Sequence, residues 1–111
     1  PDDVGAGDPK GFPRPDGSVR RSFRSGETRD QRQEFATYSA KLKLTELADF
    51  YTHFLSRAGW KRLDRVENES GAERRRSVLM NWSNDGRWAQ LTVSEPPGAA
   101  SDISVRVDTK K

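Results

Sequence analysis

Between Leu44 and Ala58 the residues Leu44, Leu47, Ala48, Tyr51, Phe54, Leu55 and Ala58 recur at the spacing of one helical stripe. It is the one stretch with that period, and it constrains the fold most. A single amphipathic helix, over about residues 45–58, can cover only one face of a sheet. Thr45 is the expected N-cap, Glu46 and Asp49 suit the positive end of the helix dipole, and Gly59 supplies the left-handed residue that ends it. The spacing turns Tyr51, Phe54 and Leu55 inward, leaves Phe50 at the rim and sets His53 on the opposite side. Trp60 opens the following strand. Aromatics at helical spacing belong to a core far more often than to a binding site.

The other patterned segments alternate with period 2. In "EFATYSAKL", Ala36, Tyr38, Ala40 and Leu42 face one way and Thr37, Ser39 and Lys41 the other. After the helix come "WKRLDRVEN", a strand of mixed parity, and the turn "ESGAE". Then "RRRSVLMNW" and "WAQLTVS" flank "SNDGR", where Asp-Gly is a strong hairpin signal. With Asp85 and Gly86 as the turn, Asn84 faces Arg87, and Trp82–Ala89, Met80–Leu91 and Val78–Val93 become cross-strand pairs. Each of these last three is apolar on both sides, so turn chemistry and hydrophobic pattern agree. "DISVRVD" makes the last strand, with Ile103, Val105 and Val107 inward.

These elements predict an α+β fold: one helix on one face of a mainly antiparallel sheet of about five strands, in the order β-α-β-β-β-β. Hydrophobic residues are 32% of the chain and charged residues 33%, so the apolar set must be concentrated to make a core. It lies almost wholly between Phe35 and Val107. Residues 34–109 are therefore expected as the single domain. Residues 1–33, rich in Gly and Pro, are expected as a flexible or extended arm, with a short docked piece around Phe12 to Phe23. The sheet's second face would carry Thr37, Ser39, Lys41, Leu79, Trp88, Gln90, Thr92, Ser104 and Arg106. Trp88 is its odd member: it either covers Ser83 across the strand, packs beneath the N-terminal segment, or meets a partner.

The residue inventory speaks against catalysis. There is no cysteine, the one histidine faces solvent, and no serine sits in a nucleophile-elbow context. No glycine-rich phosphate loop or metal-ligand spacing occurs, so no enzyme activity, cofactor or metal is expected. No apolar run approaches the roughly 18 residues of a membrane span. The formal net charge is +3, from 20 basic and 17 acidic residues. Arg20, Arg21 and Arg24 surround Phe23, and Arg74, Arg75 and Arg76 follow Arg62 and Arg65. These arginines are a candidate basic patch for nucleic acid or an anionic membrane surface. Successive strand residues point to opposite faces, however, which divides Arg74 to Arg76, and charge at a strand start also guards a sheet edge.

The "FPRPDGS" turn, the alternating strand, the helix "ELADFYTHFLSRAGWKR" and the strands after it resemble small exported bacterial domains of the lipoprotein type. The distinctive part is the spacing of Phe50-Tyr51, Leu55 and Gly59-Trp60. The resemblance implies a periplasmic or outer-membrane-tethered location and a non-enzymatic role, with no functional residues to carry over. The chain opens on Pro1, and the expectation is a mature region whose targeting segment and lipid anchor have been removed. The leading expectation is thus a binding or structural module of the cell envelope. It would meet another envelope protein through the uncovered face at Trp88, Gln90, Thr92 and Arg106. The alternative is an electrostatic binder of nucleic acid or anionic lipid using the arginines.

Overall fold

The computed structural model describes residues 3, 7–9, 11–70, 75–96 and 98–111, with residue 70 described by its backbone only. The elements are β1 (Val19–Glu27), β2 (Gln31–Ala40), α1 (Leu44–Arg57), β3 (Lys61–Ser70), β4 (Arg75–Asn84), β5 (Arg87–Glu95) and β6 (Ser101–Lys110). The strands pair antiparallel in one open sheet of order β1-β2-β6-β5-β4-β3. The protein is therefore α+β and mainly sheet, with one helix among the described residues.

The β4–β5 hairpin follows from its turn. Asp85 and Gly86 both hold positive φ, 42° and 85°, as a tight hairpin turn of the favoured hand requires. The register that follows pairs Asn84 with Arg87, Trp82 with Ala89, Met80 with Leu91 and Val78 with Val93. Trp82, Met80, Val78, Ala89, Leu91 and Val93 are buried, as are Ile103, Val105 and Val107 beside them on β6.

Helix α1 lies on this apolar face, against β3, β4 and β5. It buries Leu44, Leu47, Ala48, Tyr51 and Leu55. Lys43, not Thr45, is the N-cap. The first free amides are met by carboxylates instead: Lys43 N–H donates to Glu46 Oε1 at 3.3 Å, and Leu44 N–H to Glu95 Oε2 of β5 at 2.5 Å. At the other end Gly59 adopts φ 94°, Gly59 N–H reaches the Ser56 carbonyl and Trp60 N–H reaches that of Leu55. That is the two-bond closure a left-handed glycine permits. Phe54 departs from the expected inward stripe and is 46% exposed. It stands about 80° around the helical wheel from Leu44, at the edge of what the sheet can cover.

The N-terminal stretch differs most from expectation. Part of the arm expected over residues 1–33 is instead β1, a sixth strand paired with β2 along Val19–Glu27, and β2 itself begins at Gln31. Phe12 belongs to the core, with its ring 5.9 Å from Tyr51 and 5.7 Å from Trp60. Trp60, just before β3, is itself buried, and the Arg87 guanidinium covers its ring at 5.1 Å. The physical reason is the helix's reach: lying over β3 to β5, it leaves apolar surface that the segment before β1 covers.

Candidate functional site

The sheet face away from α1 is built from strand residues of the opposite parity. One transverse row crosses all six strands through direct cross-strand neighbours: Arg24, Phe35, Arg106, Gln90, Asn81 and Asp64. The next row is Ser22, Thr37, Ser104, Thr92, Leu79 and Val66. On the other side of the first row, Trp88 of β5 stands between Asp108 of β6 and Ser83 of β4. All four residues expected to form the partner surface, Trp88, Gln90, Thr92 and Arg106, therefore share this face.

Arginines flank the ring at the head of the first row. The Arg24 guanidinium carbon lies 4.8 Å from the Phe35 ring centre and that of Arg106 lies 5.5 Å from it. Arg106 is braced by Asp108, whose carboxylate accepts from Nε at 3.2 Å. A shallow depression of about 550 Å³ opens here, lined by both arginines, Phe35, Gln90 and the hydroxyls of Ser22, Thr37, Thr92 and Ser104. A smaller hollow of about 230 Å³ adjoins it, bounded by Asn81, Trp88, Gln90, Arg106 and Asp108. Asn81 donates to Asp64 at 2.9 Å, while its Oδ1 is buried with no hydrogen-bond partner in the structure. Trp88 is 52% exposed, so it neither enters the core nor hides beneath the N-terminal segment.

Sequence reading missed Phe35 and Asn81; it set Asp108 outward with Arg106 but did not foresee the bond between them. Phe35 was detectable, since in "EFATYSAKL" it shares parity with Thr37 and Ser39. Its flanking by Arg24 and Arg106 depends on strand order, which no local pattern encodes.

The expected basic patch does not form as one surface. Arg20 is buried, with its guanidinium 3.0 Å from Asp8. Arg21 is exposed at a bulge and donates to Ser39 Oγ at 3.1 Å. Arg62 and Arg65 lie on β3, at the opposite edge of the sheet from β1. Arg65 pairs with Glu67 at 2.7 Å, and Arg75 lies 3.8 Å from Asp102. Arg76 stands opposite Glu95. Arg74 falls outside the described residues, as does most of the expected "ESGAE" turn. Of the eight, Arg24 joins the rows around Phe35 and finds its companion in Arg106; Arg75 lies at the rim of the same face, tied to Asp102, and Arg21 reaches it only at Ser39.

Strong pKa perturbation gathers on the other side of the sheet, where the N-terminal segment docks. The Arg14 guanidinium, aided by the Arg20 amide, holds the Asp3 carboxyl down at about 2. At Asp8 burial pushes the carboxyl up, but hydrogen bonds from Tyr38 and Arg20 and the charge of Arg14 outweigh it and the net direction is down. Tyr38 is pushed up by burial and by Asp8, which accepts its hydroxyl at 2.7 Å. Burial likewise raises Tyr51. The perturbations at Asp3, Asp8 and Tyr38 trace to contacts that pin this segment down, and that at Tyr51 to burial.

His53 is exposed, its ring 4.9 Å from that of Phe54. Among the described residues no cluster of His, Cys, Asp or Glu could hold a metal ion, and no helix is long and apolar enough to cross a membrane. No protein-family model matches the chain, and no curated protein matches it closely enough to report.

Proposed function

We propose that the protein is a non-enzymatic binding module of the bacterial cell envelope that meets a protein partner through its uncovered sheet face. One observation carries the reading: Trp88, half exposed on the six-stranded sheet, shares one face with the arginine-flanked Phe35 and the side-chain amides of Gln90 and Asn81. Exposed aromatics and arginines within a polar rim are the groups that dominate protein–protein affinity. The non-enzymatic part is supported by Asp3, Asp8 and Tyr38, perturbed groups whose hydrogen bonds are taken up in holding the N-terminal segment. The envelope location, periplasmic or tethered to the outer membrane, is supported by the resemblance of the helix and its Gly59-Trp60 ending to exported domains.

The test is Trp88→Ala and Arg106→Ala, compared with the unaltered protein in cross-linked capture from envelope fractions. Both variants are expected to unfold within about 1 kcal/mol of the parent, as exposed sites do, and to lose the captured protein. Unfolding of the Trp88 variant would place that ring in the core and end the proposal.

A second reading, an anionic ligand on the same face, is favoured by one observation. Arg24 has no ion-pair partner among the described residues and shares the Phe35 ring with Arg106. It requires retention on heparin that falls steeply with salt and drops further in Arg24→Ala. Equal elution of parent and variant rules it out.

A further inference from the structure

We propose that β3 is a self-complementary edge through which two copies of this chain join antiparallel, about a two-fold axis at Val66, into one continuous sheet. The inference stands apart from the uncovered-face reading and rests on different residues.

The sheet has two edges, β1 and β3, and they differ in chemistry. At β1 the Asp3 carboxylate already accepts the Arg20 backbone N–H at 2.7 Å, and a self-pairing centred on Ser22 would set Arg20 against Arg24. The edge of β3 is open: Lys61 to Glu69 are all exposed, including Leu63 at 55% and Val66 at 47%. Two of the four exposed large hydrophobic residues among those described are therefore on this one strand. An edge of this length offers a row of backbone donors and acceptors to a further strand.

The charge order then selects the partner. Along β3 the first half carries Lys61, Arg62 and Arg65 against the single acid Asp64, and the second half carries Glu67 and Glu69 with no base. An antiparallel second copy brings basic half against acidic half, whereas a parallel one brings like against like. With Val66 opposite its own copy, Arg65 faces Glu67 and Asp64 faces Asn68, each twice by symmetry. This register needs only the segment after the Arg62/Asp64 irregularity, where the pairing of β3 with β4 is regular. The Val66 pair falls on the uncovered face, because Val66 is the neighbour of Leu79, and the Arg65–Glu67 pairs fall on the helix side, beside Met80 and Val78. A two-fold axis normal to the sheet keeps both uncovered faces on one side.

The experiment is sedimentation of the full chain with two single charge reversals. Arg65→Glu leaves Glu facing Glu, and Glu67→Arg leaves Arg facing Arg, so each alone is expected to weaken self-association at least about tenfold. Mixed together, the two variants again set Glu opposite Arg at every pair, and a heterodimer is expected. Val66→Lys, which sets two ammonium groups against each other at the axis, must also yield a monomer. Circular dichroism of each variant confirms that these exposed substitutions leave the fold intact. A parent that stays monomeric at the highest soluble concentration overturns the proposal. So does a dimer that survives all three variants, or a mixture that fails to associate.

Discussion

Gly59 shows how much a single residue can decide. At φ 94° it lets two amides close the end of α1 and turns the chain toward Trp60 and β3. A Cβ there would meet the Asn84 side chain no closer than 3.7 Å, so the space is free and the obstacle to any other residue is conformational. Gly59→Ala is expected to cost about 1–2 kcal/mol in urea unfolding, and Gly59→Asn less, since Asn tolerates the left-handed region better than Ala. Gly59 and the Asp85-Gly86 turn were legible in the sequence because backbone preference belongs to residue type. The helix start was not: its second carboxylate, Glu95, arrives from 51 residues away, and no local pattern announces it. Phe54 was misread for a related reason, as the periodic stripe is wider than the sheet beneath it.

Among the elements, the segment before β1 and β1 itself were the least legible. β1 reads "VRRSFRSGE", with Val19 and Phe23 as its large apolar residues, and a bulge between Arg20 and Ser22 breaks its alternation. Pairing with β2, not its own pattern, makes it a strand. β3 is blurred in the same way, with an irregularity between Arg62 and Asp64 and no buried side chain among Lys61 to Glu69. The interior hairpin and β6 were legible because both their parity and their turn chemistry answer to one buried face. The docked segment yields a direct test. Phe12 packs between Tyr51 and Trp60, so Phe12→Ala is expected to destabilise the whole domain by about 3 kcal/mol, as a core phenylalanine does. A free arm would leave the urea midpoint unmoved.

For the molecule as a whole, one face of the sheet is buried under two unlike covers, and acid acts on them differently. Helix α1 is held mainly by apolar contact, whereas the segment before β1 is also clasped by charge. Asp3 receives Arg14 at 3.0 Å and the Arg20 amide at 2.7 Å; Asp8 receives Tyr38, Arg20 and Arg14. A third clasp joins the C-terminus to β1, where Lys111 Nζ lies 3.0 Å from Glu27 and pulls that carboxyl down. All three carboxyls are held below their own unfolded-state values, so the unfolded chain takes up protons first as pH falls. The contribution of these groups to stability is therefore complete above about pH 5 and is lost on descent toward the value of about 2 held by Asp3. Urea midpoints measured from pH 7 downward should stay level across that upper range and then fall. The Arg20 amide resonance should shift within the same window as Asp3 releases it. The double variant Asp3→Asn/Asp8→Asn should start less stable and show a flatter acid limb, since it has lost two of the three carboxyls held low in the fold. An acid limb of undiminished steepness in that variant would assign the pH dependence to other carboxylates and leave the N-terminal segment held by Phe12 and its apolar neighbours alone.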